Sequence, residues 1–234
     1  MAGKGNKHGF VIAIDGPAGS GKSTTARLCA RRLGFFYLDT GAMYRAVTLK
    51  VLRSGVRLDD ERALRQLLRS TRLELCWDDG GLRVFLDGED VSREIRSPEV
   101  NRLVSAVSAL GVVRKMMVAE QRRLARGRNV VCEGRDIGSV VFPDAQLKIF
   151  LECAIAERVR RRRAELKEQG LDKGMSDSEV RRNLLQRDRI DSSRDLSPLR
   201  RMPDAVLIDT THLTIEEEVA VVCALAQRRI QGEQ

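Results

Sequence analysis

The sequence predicts an α/β fold in three layers: a parallel sheet flanked by helices, with a small antiparallel β insert. Three observations lead there. Short, continuous apolar runs at 10–14, 130–133, 147–151 and 205–208 alternate with segments of helical periodicity, the pattern of strands covered on both faces. The first run leads straight into Gly16-Pro17-Ala18-Gly19-Ser20-Gly21-Lys22-Ser23-Thr24, a G-x-x-x-x-G-K-[ST] phosphate-binding loop set between a strand and a helix. Residues 71–91 then break the rhythm with alternating apolar positions and paired turns, as antiparallel hairpins do.

Each element has its own signal. Strand one is expected over 9–15 and helix one over 22–33, where Ala26, Cys29, Ala30 and Leu33 share a face and Gly34 stops the helix. A strand over 35–38 leads through Asp39-Thr40-Gly41 to a helix over about 42–53. The next helix starts near Asp59 and turns Leu64, Leu67 and Leu68 inward. In the insert, Leu73, Leu75 and Trp77 alternate, and Asp78-Asp79-Gly80-Gly81 turns the chain. Val84 and Leu86 then face away from Arg83 and Phe85, and Asp87-Gly88 turns again. Trp77 is expected to pack into a core rather than to stand exposed. Ser97-Pro98-Glu99 opens a helix with proline in its first turn. A helix over 112–126 precedes the strand at 129–133, and the strand at 147–151 precedes two arginine-rich helices over about 155–169 and 177–190. Capping boxes run from Ser176 to Glu179 and from Thr214 to Glu217, the latter opening a final helix with Ile215, Val219, Val222, Ala226 and Ile230 on one face.

Composition narrows the function. The 234 residues are 42% hydrophobic and 32% charged, which suits a soluble globular chain, while only 4% are aromatic, too few for stacking platforms on single-stranded nucleic acid. The net charge of +9 rests on 34 arginines and 8 lysines, a ratio suited to forked recognition of phosphate. Five scattered cysteines read as small buried residues in a reducing compartment, and His8 and His212 offer little for histidine chemistry. A polar start over 1–9 and the lack of any long apolar stretch lead to the expectation of a cytoplasmic protein with no membrane partner, and the scarce aromatics to that of no nucleic-acid partner; a monomer is expected besides.

The loop from Gly16 to Thr24 is expected to cradle a nucleoside triphosphate, with Lys22 on its β- and γ-phosphates and the Ser23 hydroxyl on Mg²⁺. Asp15 and Glu133, at strand ends beside the loop, are candidates to hold that ion through water. Arg158 and Arg162 share a helical face and are the better ATP candidates in the basic run of Arg158 and Arg160 to Arg163, most of which reads as a solvated face. The guanine motifs N-K-x-D and T-K-x-D and a transporter-type L-S-G-G-Q signature do not occur. Instead Arg45, Arg135, Arg187 and Arg194 stand in loops after strands, where a second phosphorylated ligand belongs.

Four motifs then carry a specific resemblance. Asp39-Thr40-Gly41-Ala42-Met43-Tyr44-Arg45, Glu133-Gly134-Arg135-Asp136-Ile137-Gly138, the stretch from Arg187-Asp188 through Arg194 to Ser197-Pro198-Leu199, and Leu86-Asp87-Gly88-Glu89-Asp90-Val91 resemble, in order, motifs of the bacterial cytidylate kinases. The resemblance implies a P-loop kinase fold with a helical lid, ATP as donor with Mg²⁺, and CMP and dCMP as acceptors. It puts Thr40, Tyr44 and Arg45 in the acceptor site, with Arg45 and Arg135 on the CMP phosphate, and sets Ser105, Arg114 and Asp136 on the cytosine edge. Arg187 and Asp191 fall to the sugar hydroxyls and Arg194 to the phosphates. Lys22, Arg135, Arg187 and Arg194 are then the catalytic group. It divides the chain into a core (about 9–57, 106–153 and 200–230), a monophosphate-binding insert (about 58–105) and a lid (about 154–199). Ser139 where threonine is common, and Glu133 where some members have aspartate, keep the donor and the charge. A monophosphate with a second pKa near ~6 is already anionic at neutral pH, so no general base is expected. Other nucleoside monophosphate kinases, and a nucleic-acid-dependent ATPase, are the alternatives.

Overall fold

The computed structural model describes residues 9–78, 81–168, 170 and 174–232. The polar start with His8, the turn residues Asp79 and Gly80, and residue 169 at the expected end of a helix lie outside the described residues. The chain runs β1 (Val11–Asp15), α1 (Lys22–Leu33), β2 (Phe36–Asp39), α2 (Thr40–Ser54), α3 (Glu61–Arg69), β3 (Leu73–Asp78), β4 (Gly81–Leu86) and β5 (Glu89–Asp90). It continues through α4 (Pro98–Ala109), α5 (Gly111–Leu124), β6 (Val130–Gly134), β7 (Leu147–Glu152), α6 (Ile155–Glu168), α7 (Asp177–Ser192), β8 (Val206–Asp209) and α8 (Ile215–Ile230). It forms two compact units: residues 39–121 are one, and 1–38 with 122–234 are the other.

The larger unit is built on a five-stranded sheet in the order β2-β6-β1-β7-β8, with parallel pairing across β6-β1-β7-β8. β1 is central and every residue in it is buried, as its unbroken apolar run requires. Its register sets Ile14 opposite Glu133 and Asp15 opposite Gly134, so two carboxylates arrive together at the carboxyl ends of neighbouring strands. α1 packs between β6 and α8, burying Ala26, Cys29 and Ala30. β8 departs from the expected pattern: as an edge strand it leaves Leu207 40% exposed. The α8 stripe is also shorter than expected. Val219, Val222 and Ala226 are buried with Cys223, but Ile215 and Ile230 lie open, because a 16-residue helix outruns its 12-residue partner α1. Both capping boxes form, at Ser176–Glu179 and Thr214–Glu217.

The smaller unit packs α2 against α4 and against the antiparallel sheet β3-β4-β5. Leu73, Val84, Leu86, Val91, Ile95 and Val100 fill its core. Trp77 stands opposite Leu82 and is half-buried. Asp87 (φ 53°) and Gly88 (φ 90°) take the left-handed backbone that a tight hairpin needs. Cys76 corrects the reading of the cysteines as buried, since strand alternation puts it on the solvent side. Ser97 caps α4 with Pro98 behind it, and Asp39 caps α2 by accepting from the Ala42 amide at 2.8 Å.

Candidate active site

The loop between β1 and α1 adopts a conformation that only glycine allows at its key points. Gly16, Gly19 and Gly21 have φ of 152°, 78° and 95°. A methyl group on Gly16 would stand 2.3 Å from the Leu151 carbonyl oxygen, and one on Gly21 would stand 2.7 Å from the Glu218 carboxylate. Gly16→Ala is therefore expected to destabilise the fold by about 3 kcal/mol and to abolish ATP binding. A melting curve superimposable on the parent's would contradict this.

Lys22 heads α1 and is buried, its Nζ donating to the Pro17 carbonyl at 2.5 Å and to Ser20 Oγ at 3.3 Å. Burial, reinforced by Arg135, lowers its pKa to about 7, against the attraction of Glu133 and Asp15. A polyphosphate beside it favours the charged form. Above neutrality, ATP binding is thus expected to take up a proton, and well below pH 7 the uptake vanishes because the amine is already charged. Calorimetric titration in two buffers of different ionisation enthalpy measures it; an equal heat in both at pH 8 sinks the assignment.

Beside Lys22, Ser23 Oγ donates to Glu133 Oε1 at 2.6 Å, and Tyr37 Oη donates to the same oxygen at 3.3 Å. These oxygen atoms suit a hard cation such as Mg²⁺. Asp15 is differently engaged. Its two carboxylate oxygens accept from the Ile137 and Gly138 amides, both at 2.8 Å, tying it to a π-helical turn over Ile137–Val141. Burial outweighs those bonds and raises its pKa to about 6. Of the two carboxylates read as candidates for the ion, Glu133 is the one joined to Ser23.

The next cluster is a carboxylate between arginines. Asp191, buried near the end of α7, accepts from Arg135 Nε at 2.7 Å through one oxygen and from an Arg194 terminal nitrogen at 3.0 Å through the other. Burial alone would raise its pKa, but Arg135, Arg194 and Arg187 together hold it below the usual carboxylate range. Arg187 contributes through its charge and lies half-buried on the same helix. Asp136 is buried directly after Arg135, its carbonyl accepting the Val140 and Val141 amides of the π-helical turn.

In the smaller unit, α2 and α5 bring together Tyr44 and Arg114: the guanidinium lies over the ring, 5.5 Å from its centre, and donates to the Ser108 carbonyl at 3.1 Å. Thr40, Ser105 and Arg114 are all buried. Arg45 donates to Asn101 Oδ1 at 2.5 Å, and Asn101 is itself held by the Arg96 carbonyl at 2.9 Å. Asn101 carried no motif and escapes a reading from sequence.

The arginine run divides into buried and solvated members. Arg158 is buried and donates to the Ala18 carbonyl at 2.7 Å and to Asp188 at 2.5 Å. Arg162 pairs with Glu165 at 2.6 Å, and Arg160, on the solvated side, pairs with Glu157. Arg161 corrects the expectation of a solvated residue: it donates to Glu218 at 3.1 Å and to the Thr210 carbonyl at 2.6 Å. Glu218 also accepts from Thr25 Oγ1 at 2.6 Å, so a buried network backs the loop at Gly21. A charged residue inside an apolar helical stripe was its only trace in the sequence.

A glycine-built phosphate loop, a buried lysine at the head of its helix and, just past the end of β6, an arginine that shares a carboxylate of α7 with a second arginine define a P-loop phosphotransferase. The family model described as cytidylate kinase matches residues 12–228. A cytidylate kinase from Caldanaerobacter subterraneus subsp. tengcongensis is 51% identical over 95% of this chain and 96% of its own length. One from Carboxydothermus hydrogenoformans is 49% identical over 93% and 97%, and one from Geobacillus thermodenitrificans 49% over 94% and 98%. The chain belongs to the cytidylate kinase family, and it is an ATP-dependent phosphotransferase. That membership disfavours a nucleic-acid-dependent ATPase and kinases of other nucleoside monophosphates. Among the described residues, no helix is long and apolar enough to cross a membrane.

Proposed function

We propose a division of labour among the residues of this enzyme for moving the γ-phosphoryl group of ATP onto CMP or dCMP. The observation that carries it is the pair Arg135 and Arg194 converging on the two oxygens of one buried carboxylate, an arrangement ready to take a phosphate. The loop 16–24 holds the donor, and Lys22 neutralises charge on its β- and γ-phosphates. Arg135, Arg187 and Arg194 stabilise the charge that spreads over the transferring group. Arg45 holds the CMP phosphate, Thr40 and Tyr44 line that site, and Ser105, Arg114 and Asp136 read the base. Asp191 takes the sugar hydroxyls. Ser23 and Glu133 are the residues to hold Mg²⁺, which when bound adds positive charge beside the phosphates.

No residue is assigned as a general base. The acceptor oxygen is anionic at neutral pH, so the obstacle is repulsion between two polyanions, which positioning and cationic side chains reduce. In the transfer, the acceptor phosphate oxygen bonds to the γ-phosphorus as the bond to the bridging oxygen of ADP breaks, leaving CDP or dCDP and ADP. Helices α6 and α7 form the lid that excludes water from competing for the phosphoryl group. A monomer in the cytoplasm completes the proposal.

A coupled assay of ADP release with CMP, dCMP, UMP and AMP tests the reading. CMP and dCMP should turn over at least about tenfold faster, as kcat/KM, than UMP or AMP. Release that needs RNA, and not CMP, would overturn it.

A further inference from the structure

We infer that Asp188 is a positioning residue for the phosphate-binding loop, and that it acts as one unit with Arg158 by bracketing Ala18. Three observations converge. The Ala18 amide donates to Asp188 Oδ1 at 3.3 Å, while the Ala18 carbonyl accepts from Arg158 Nε at 2.7 Å. Arg158 closes the ring by donating to Asp188 Oδ2 at 2.5 Å, in a pair whose side chains are only 6% and 22% exposed. Around this ring Ala18 packs into an apolar cluster of Val159 and Leu166 from α6 and Val180 and Leu184 from α7. One loop residue is therefore fixed on both of its backbone polar groups and on its methyl group by two helices.

The chemistry of the ring separates positioning from ligand binding. A guanidinium engaged by a carboxylate presents little net charge, so the pair gives a polyphosphate much less attraction than a bare arginine would. What it supplies is conformational. Ala18 precedes Gly19, whose φ of 78° is open to many alternatives in a free chain. Holding Ala18 on both sides limits those alternatives before any ligand arrives. Where only a fraction of molecules has a binding-competent loop, the apparent Kd rises by the inverse of that fraction. This moves Arg158 from the expected role of ATP contact to that of a brace.

The inference rests on ATP being the ligand of this loop, and the experiment keeps the two apart. ATP and CMP dissociation constants and kcat are measured for the parent, Asp188→Ala, Arg158→Ala, the double variant and Asp188→Asn. Each alanine variant should weaken ATP about tenfold and CMP by less than about twofold, and the double variant should be no weaker than either single, because the two act together. Asp188→Asn should recover part of the ATP affinity, since its amide oxygen can still accept from Ala18. If Arg158→Ala loses far more than Asp188→Ala and the losses add, Arg158 contacts ATP directly and the inference is overturned. Equal weakening of ATP and CMP with a lower melting temperature overturns it too, by showing only a structural role. A parent that binds no ATP overturns both readings, whereas a binding parent with unchanged variants overturns this one alone.

Discussion

Lys22→Met should reduce kcat with ATP and CMP by about three orders of magnitude while leaving the melting temperature unchanged or raised. The two halves of that expectation have one cause. Lys22 is buried, and the cost of burying its ammonium lowers its pKa to about 7. Methionine has a similar volume and no charge to desolvate, so the fold loses nothing at neutral pH. The Pro17 carbonyl and Ser20 hydroxyl lose a donor, but they stand in a loop rather than in the sheet. Only when phosphates occupy the loop does the positive charge become favourable. A variant that melted well below the parent with most of its kcat intact would show that Lys22 is structural.

Asp191→Ala should lower stability by about 3 kcal/mol, as much as Gly16→Ala, which is a fall in melting temperature of about 6–12 °C for a chain of this size. Removing the carboxylate leaves Arg135 and Arg194 facing each other without their shared partner, with Arg187 nearby. The same pairing predicts an acid limb. Because Asp191 titrates below its unfolded value in the folded chain, its contribution is complete above ordinary carboxylate pKa values and disappears as pH falls through its folded one. The variant should therefore show a shallower loss of stability below pH ~4 than the parent. Inorganic phosphate should restore part of the melting temperature by supplying the missing anion. A variant melting within a degree of the parent would refute the assignment. Its kinetics carry a second reading: unchanged constants for both CMP and dCMP would remove Asp191 from the sugar site.

Much of this was legible in the chain because it rests on local rules. The loop 16–24, helix α1 and both capping boxes depend on residue types at fixed spacing, and they lie where that spacing puts them. Ser97 and Pro98 are equally plain as a helix start, whereas α2 begins at Thr40, ahead of the expected start at about 42, because Asp39 caps it. What escaped depends on neighbours distant in sequence. Asp15 reads from the sequence as a candidate to hold the ion, yet the π-helical turn over Ile137–Val141 donates to both its oxygens, and no periodicity announces such a turn. Arg161 looked like one solvated arginine among several, and only the fold brings Glu218, 57 positions along, to meet it. Ile230 continues a helical stripe that the structure ends one turn earlier, because α8 outruns α1.

The carboxylate between Arg135 and Arg194 has a consequence for selectivity among anions. Asp191 is covalently tethered three residues from Arg194, so it competes for these guanidiniums as an intramolecular ligand. Tethering of this kind corresponds to an effective concentration in the millimolar range or above. Sulfate, chloride or carboxylate metabolites at ordinary levels must displace that resident anion with no further contacts to help them. A nucleotide brings a phosphate together with a sugar and a base, and so can win the exchange. If the proposed site roles hold, departure of the product lets the carboxylate return to the two arginines it meets in this structure.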